Sequence, residues 1–130
     1  MLLLDTNACI AILNGKSRSL LQRLNRQPVS DVAVCSVVRG ELLFGARKSQ
    51  RVDENLERVN NFCGGLVSLP YDDQAADHYG ICRAILERAG TPIGEADLLI
   101  ASIALAHDAT VITRNHREFA RIPGLRLETF

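Results

Sequence analysis

Three acids far apart in the chain, Asp5, Glu41 and Asp97, stand where chemistry is to be expected. Leu2-Leu3-Leu4 is a short apolar run that Asp5 ends, which suits a strand buried on both faces with a carboxylate at its C-terminal tip. Glu41 falls inside a helix opened by Ser36, and Asp97 lies in the first turn of a strongly apolar helix from Ala96 to His107. In an open parallel sheet, ligands bind outside the C-terminal ends of the strands, where the strand order reverses. All three acids map to that edge. Three negative charges around one cleft repel and raise their pKa values unless a cation neutralises them. Oxygen-only donors select a hard cation, Mg²⁺ with Mn²⁺ as a substitute, and the absence of cysteine and histidine from the set disfavours zinc. The chemistry that follows is phosphodiester hydrolysis by metal-activated water. Each acid also has an ordinary explanation: a helix cap for Asp5, a surface position for Glu41, a dipole-favoured first-turn acid for Asp97.

The elements that must position these groups alternate. Asn7 is expected to cap a helix Ala8–Leu13, and a second helix runs from Ser19 to Arg26 before Pro28. Val32-Ala33-Val34 reads as a strand, followed by a helix from Ser36 to about Lys48 and a charged one from about Val52 to Phe62. Leu66 to Leu69 makes a third strand. A long helix from Asp72 or Asp73 to Gly90 follows, with Ala76, Tyr79, Cys82, Ala84, Ile85 and Leu86 as its apolar residues. After the Asp97 helix, Thr110–Thr113 is a fourth strand, His116–Ala120 a short helix, and Leu125-Arg126-Leu127 a terminal fifth strand. The expectation is one domain over residues 1–130, a three-layer α/β/α sandwich on a mostly parallel sheet of four or five strands.

Composition sets bounds on function. Fifteen Lys and Arg balance fifteen Asp and Glu, so the net charge is zero and wrapping of duplex nucleic acid through a broad basic surface is disfavoured, although a local basic groove is not. No apolar stretch reaches membrane-spanning length, and MLLLDTN lacks the basic start and cleavage site of a signal peptide, so a cytoplasmic protein is expected. Cys9, Cys35, Cys63 and Cys82 are widely spaced and read as reduced core residues.

Four segments, in order over nearly the whole chain, resemble the PIN-domain ribonucleases, and within them the VapC-type toxins of toxin–antitoxin pairs. LLLDTN is similar to the family's opening strand and first acid, and SVVRGELLFGARKS to its second-acid helix around an E-L-x-x-G core. PIGEADLLIASIALAHDATVITRN resembles the third-acid segment, and REFARIPGLRLETF the C-terminal tail. The resemblance implies that Asp5, Glu41 and Asp97 hold Mg²⁺ or Mn²⁺ directly or through water. It also implies cleavage of tRNA or rRNA, a small cognate antitoxin covering the cleft, and a homodimer able to enter a larger assembly with that antitoxin. Many members carry a fourth acid just after the strand matching Thr110–Thr113, where this chain has Arg114-Asn115. Asn115 takes that catalytic position as a neutral amide, which orients water or phosphate but holds a second cation less firmly.

Around this set, Glu95 is a further candidate ligand, Thr6 is placed to bond Asp5 or a metal-bound water, and Arg39 and Arg114 are candidates for RNA phosphate or for ion pairs with the acids. His78, His107 and His116 have no partner pattern that assigns them a catalytic role. Two other classes stay open. One is a binding module that keeps the fold without the chemistry, motivated by Asn115. The other is a phosphatase of the haloacid-dehalogenase kind, which wants a second aspartate where Asn7 stands.

Overall fold

A computed structural model describes residues 1–130. Strand β1 (Leu2–Leu4) is buried along its whole length and leads into helix α1 (Thr6–Leu13). Helix α2 (Arg18–Leu24) and a single 3₁₀ turn at Val29–Asp31 precede β2 (Val32–Cys35), again fully buried. Then come α3 (Ser36–Arg47), α4 (Val52–Gly64), β3 (Val67–Leu69) and α5 (Asp73–Arg88). The chain closes with α6 (Glu95–Ala106), β4 (Thr110–Thr113), α7 (His116–Phe119) and β5 (Arg126–Thr129).

The five strands form one sheet in the order β3-β2-β1-β4-β5, and every pairing is parallel. This is the expected α/β/α architecture with no antiparallel strand. The three central strands are almost wholly apolar because helices cover both faces, whereas edge strand β5 carries Arg126 and Glu128. The chain leaves β1 to build one half of the sheet and returns for the other, so the strand order reverses between β1 and β4. No helix is long and apolar enough to cross a membrane.

Several local expectations need correction. Helix α1 begins at Thr6, and Asp5, not Asn7, is its cap, with Oδ1 accepting the Ala8 N–H at 2.8 Å. The Asp5 N–H bonds the Ile112 carbonyl at 3.2 Å, so the sheet ladder reaches Asp5 and fixes where the helix starts. Ser36 is the first residue of α3 and caps nothing, and α2 is capped by Ser17, two residues before the expected start. On α5 only Ala75, Cys82 and Leu86 are buried. Ala76, Ala84 and Ile85 face solvent, because α5 touches the molecule mainly along α6. Strand β5 lies one residue further along than expected, paired Val111 to Leu127 and Thr113 to Thr129. All four cysteines are free and buried, as expected.

A cluster of 29 buried residues joins the sheet to its covering helices. Phe119, in the four-residue α7, is completely buried in it and is the largest such side chain. A helix this short has no stability of its own. Phe119 therefore anchors the segment that carries Asn115 and Glu118. Phe119→Ala is expected to destabilise the protein by about 3–5 kcal/mol in urea denaturation, with a loss of protection from hydrogen exchange concentrated at residues 114–120.

Candidate active site at the C-terminal edge of the sheet

Asp5 stands at the tip of β1, only 3% exposed. Burial is the main cause that raises its pKa, and Glu41 adds repulsion. The Thr113 hydroxyl, the Ala8 N–H and the positive charge of Arg114 pull the other way. Asp97, half-buried in the first turn of α6, is also raised chiefly by burial and further by Asp5, Glu118 and Glu41. Glu41 thus acts on both aspartates and Asp5 acts on Asp97, although 92 residues separate those two in the chain.

Hydrogen-bond donors hold these acids in place. The Asn115 side-chain amide donates to Asp97 Oδ2 at 2.9 Å and to Glu118 Oε2 at 3.1 Å, while its backbone N–H donates to Thr113 Oγ1 at 2.8 Å. Asn115 occupies the cap position of α7 but its oxygen accepts no helix N–H, while its Nδ2 is turned to the two carboxylates. The Thr6 hydroxyl donates to Glu41 Oε1 at 2.5 Å, not to Asp5 as expected.

Other candidates fall elsewhere. Arg39 is turned toward α4, where it donates to Asn60 Oδ1 at 3.2 Å, so it is not brought to the acids. It is two residues from Glu41, and side chains two apart on a helix do not face the same way. Glu95 accepts from the Tyr79 hydroxyl at 3.1 Å, on a different face of α6 from Asp97. Arg114 does reach the site's field, with its guanidinium stacked 4.5 Å over the Phe130 ring. None of the three histidines joins the cluster.

Glu118 and the fully buried Thr113 are site residues that the sequence reading missed. The spacing Asn115-x-x-Glu118 is the signal available for Glu118, since a cap residue and an acid three positions on turn toward each other. Beside Glu41 a groove of about 190 Å³ runs between α1, α3 and α4, with Ile10, Leu13 and Val59 among its walls.

Whether these residues suit a hard cation is decided by the donor set. The candidate ligand atoms are carboxylate oxygens, two of the carboxylates are raised by burial, and the one cationic side chain acting on Asp5 is Arg114. No three acidic, histidine or cysteine groups are close enough to form a finished metal cage. A cation held by all three acids would have to bring them closer together than they stand. The chemistry fits.

A family model described as PIN domain matches residues 2–125. The chain belongs to the PIN-domain family. Its relatives within it are VapC proteins. The tRNA(fMet)-specific endonuclease VapC of Salmonella typhimurium is 43% identical over 126 residues, covering 97% of this chain and 95% of that protein. Ribonuclease VapC2 of Rickettsia felis is 36% identical over 129 residues, covering 98% and 96%. Among solved structures, that of DNA-bound VapBC from Salmonella typhimurium superposes with a TM-score of 0.93 at 42% identity, covering 98% of this chain and 96% of that one. The parallel α/β/α fold derived from the residues therefore coincides with the family's architecture.

A folding carboxyl whose pKa is raised above its unfolded value favours the protonated form. That contribution is present in full below the unfolded value and is lost as pH rises through the folded one, leaving a cost at neutral pH. Asp97→Asn is thus expected to stabilise the chelator-treated protein at neutral pH by roughly 0.5–2 kcal/mol. The advantage in Tm over the wild type should shrink as pH falls into the carboxylate range, and an advantage that grows on acidification is the contrary result.

Proposed function

We propose that this chain is a metal-dependent endoribonuclease, the toxin of a VapBC-type toxin–antitoxin pair acting in the cytoplasm, with residues 1–130 forming one nuclease domain. The observation that supports this reading is that Asp5 and Asp97 lie at the edge where the strand order reverses and are raised mainly by burial, with Glu41 adding repulsion at both. Asp5, Asp97 and Glu41 are the residues to hold Mg²⁺ or Mn²⁺, with Glu118 close behind. Such an ion supplies a water nucleophile and offsets charge on the transferring phosphoryl group. Asn115 positions Asp97 and Glu118 together, so that the absence of an acid at 115 is compensated from the next helical turn. Thr6 orients Glu41, and Arg114 offers a guanidinium to RNA phosphate beside the acids.

The substrate class follows from the relatives, whose names specify ribonuclease action and, in Salmonella typhimurium, tRNA(fMet). tRNA or rRNA is the class proposed, with tRNA(fMet) as the narrower form. An antitoxin segment suits the apolar groove beside Glu41, flanked by the exposed Ile10 and Phe44, and the VapBC complexes among the similar structures support such a partner. Exposed Ile81 and Ile85 on α5 support a homodimer.

A second reading, a PIN-fold binding module without turnover, is favoured by the neutral Asn115 and the open spacing of the acids. Calorimetric titration with Mn²⁺ separates the two. The nuclease should bind the ion and lose binding in Asp97→Asn, whereas a module need show neither.

Purified protein with total RNA and Mg²⁺ is expected to cleave, to stop on chelation, and to fall silent as Asp5→Asn, which keeps the helix cap because Asn caps as well as Asp. Equal cleavage by the wild type and Asp5→Asn would remove the proposal. Asn115→Ala should cost about 10–100-fold in activity, the loss usual for a residue that orients a metal ligand.

A further inference from the structure

The parallel register of β4 and β5 pairs Thr113 with Thr129, so the next residues, Arg114 and Phe130, leave the sheet side by side. The Arg114 guanidinium lies 4.5 Å over the Phe130 ring. It forms no ion pair with a carboxylate, although its charge is felt by Asp5. A planar cation is thereby held on an aromatic ring at the margin of the acid cluster, with its outer side toward solvent. Beyond Phe130 opens a cleft of about 280 Å³, walled on the far side by α2.

The cleft is polar and in part rigid. Arg23 is clamped to Glu128 by two hydrogen bonds of 2.5 and 3.0 Å, which ties α2 to β5 and uses up that arginine's charge. Ser19, Gln22 and Arg26 line the same cleft, and Arg26 joins no ion pair. A hydroxyl and an amide offer donors and acceptors to the edge of a heterocycle, and a free guanidinium suits a phosphate. Unstacked RNA bases are read in this way, by stacking on aromatic rings or arginine planes with hydrogen bonds at their edges.

We propose that Arg114, Phe130 and the α2 cleft form a nucleobase subsite that takes a single-stranded RNA nucleotide next to the cleaved phosphodiester. The base enters the cleft and stacks against the Phe130 ring that Arg114 backs, Gln22 and Ser19 contact its edge, and Arg26 meets the adjoining phosphate. The proposal rests on the ribonuclease reading for its substrate but not for its test, which reads binding without turnover.

Fluorescein-labelled decaadenylate and decauridylate are titrated, with chelator present, into Asp5→Asn protein and into the same protein carrying Phe130→Leu, Phe130→Trp or Arg26→Gln, each checked for an unchanged melting profile. Phe130→Leu keeps apolar bulk and removes the ring. It should weaken binding roughly 5- to 100-fold, the worth of one stacked base. Phe130→Trp should restore it, and decaadenylate, with its larger bases, should lose more than decauridylate. Arg26→Gln should lower the salt dependence of binding by about one counterion. Unchanged anisotropy curves in folded Phe130→Leu overturn the subsite and leave the platform to a protein contact. Intact RNA binding through Phe130 alongside no cleavage by the wild type would instead sink the nuclease reading alone.

Discussion

Like charges held close together and partly out of water are the constraint around which this molecule is arranged. Asp5 is nearly inaccessible and feels Glu41, while Asp97 is half-buried and feels Asp5, Glu41 and Glu118. Water alone screens such a cluster poorly at that depth. The fold supplies fixed donors in its place: the Ala8 N–H and the Thr113 hydroxyl at Asp5, Thr6 at Glu41, and the Asn115 amide shared by Asp97 and Glu118. These bonds offset the cost of burial and the repulsion without abolishing them, since both aspartates stay raised. A cluster poised in this way costs stability, the usual trade at functional sites, and suits the cation proposed for it.

The all-parallel sheet makes the cluster possible. Because each pairing is parallel, every strand releases its chain at the same edge, and the residues just after β1 and β4 emerge on either side of the reversal. Asp5 follows β1, and Asn115 follows β4 by two residues. Glu41 needs helix α3 to carry it back toward that edge, and Asp97 needs α6 to start there. Central strands of Leu, Val, Ile and Ala, buried on both faces, are what this architecture demands, and that is why β1, β2 and β4 could be read from apolar runs alone.

What escaped the sequence has specific causes. Asp5 and Asn7 are both good caps, and the choice between them is made by the ladder bond from the Asp5 N–H to Ile112, more than 100 residues away. Strand β5 alternates charged and uncharged residues, so its register depends on pairing with β4 rather than on its own pattern. Thr6 meets Glu41 through the packing of α1 on α3, which no local spacing encodes. Glu118 was readable in principle from its distance to Asn115, but its relevance depends on α7 being pinned by Phe119. The misplacement of Arg39 was avoidable: two residues from Glu41 on one helix, it had to point elsewhere.

For the proposed RNA substrate, the zero net charge sharpens the problem of binding. A polyanion approaching a row of carboxylates is repelled, and a neutral protein has no long-range field to overcome that. Affinity must therefore come from a few uncompensated cations placed beside the acids, and counting arginines is the wrong measure. Arg23, Arg83 and Arg126 are each engaged by a carboxylate, whereas Arg114 is not, and its stacking on Phe130 holds it where its charge reaches Asp5. Along the edge of the sheet the order is then the α3 groove on the β2 side, the acids at β1 and β4, and the aromatic and basic platform at β5. The groove side thus adjoins Glu41 and the β5 side adjoins Arg114. Each flank is fixed by strand order, because exchanging β4 with β5 would separate Arg114 and Asn115 from Asp5 and leave neither flank adjoining a complete site.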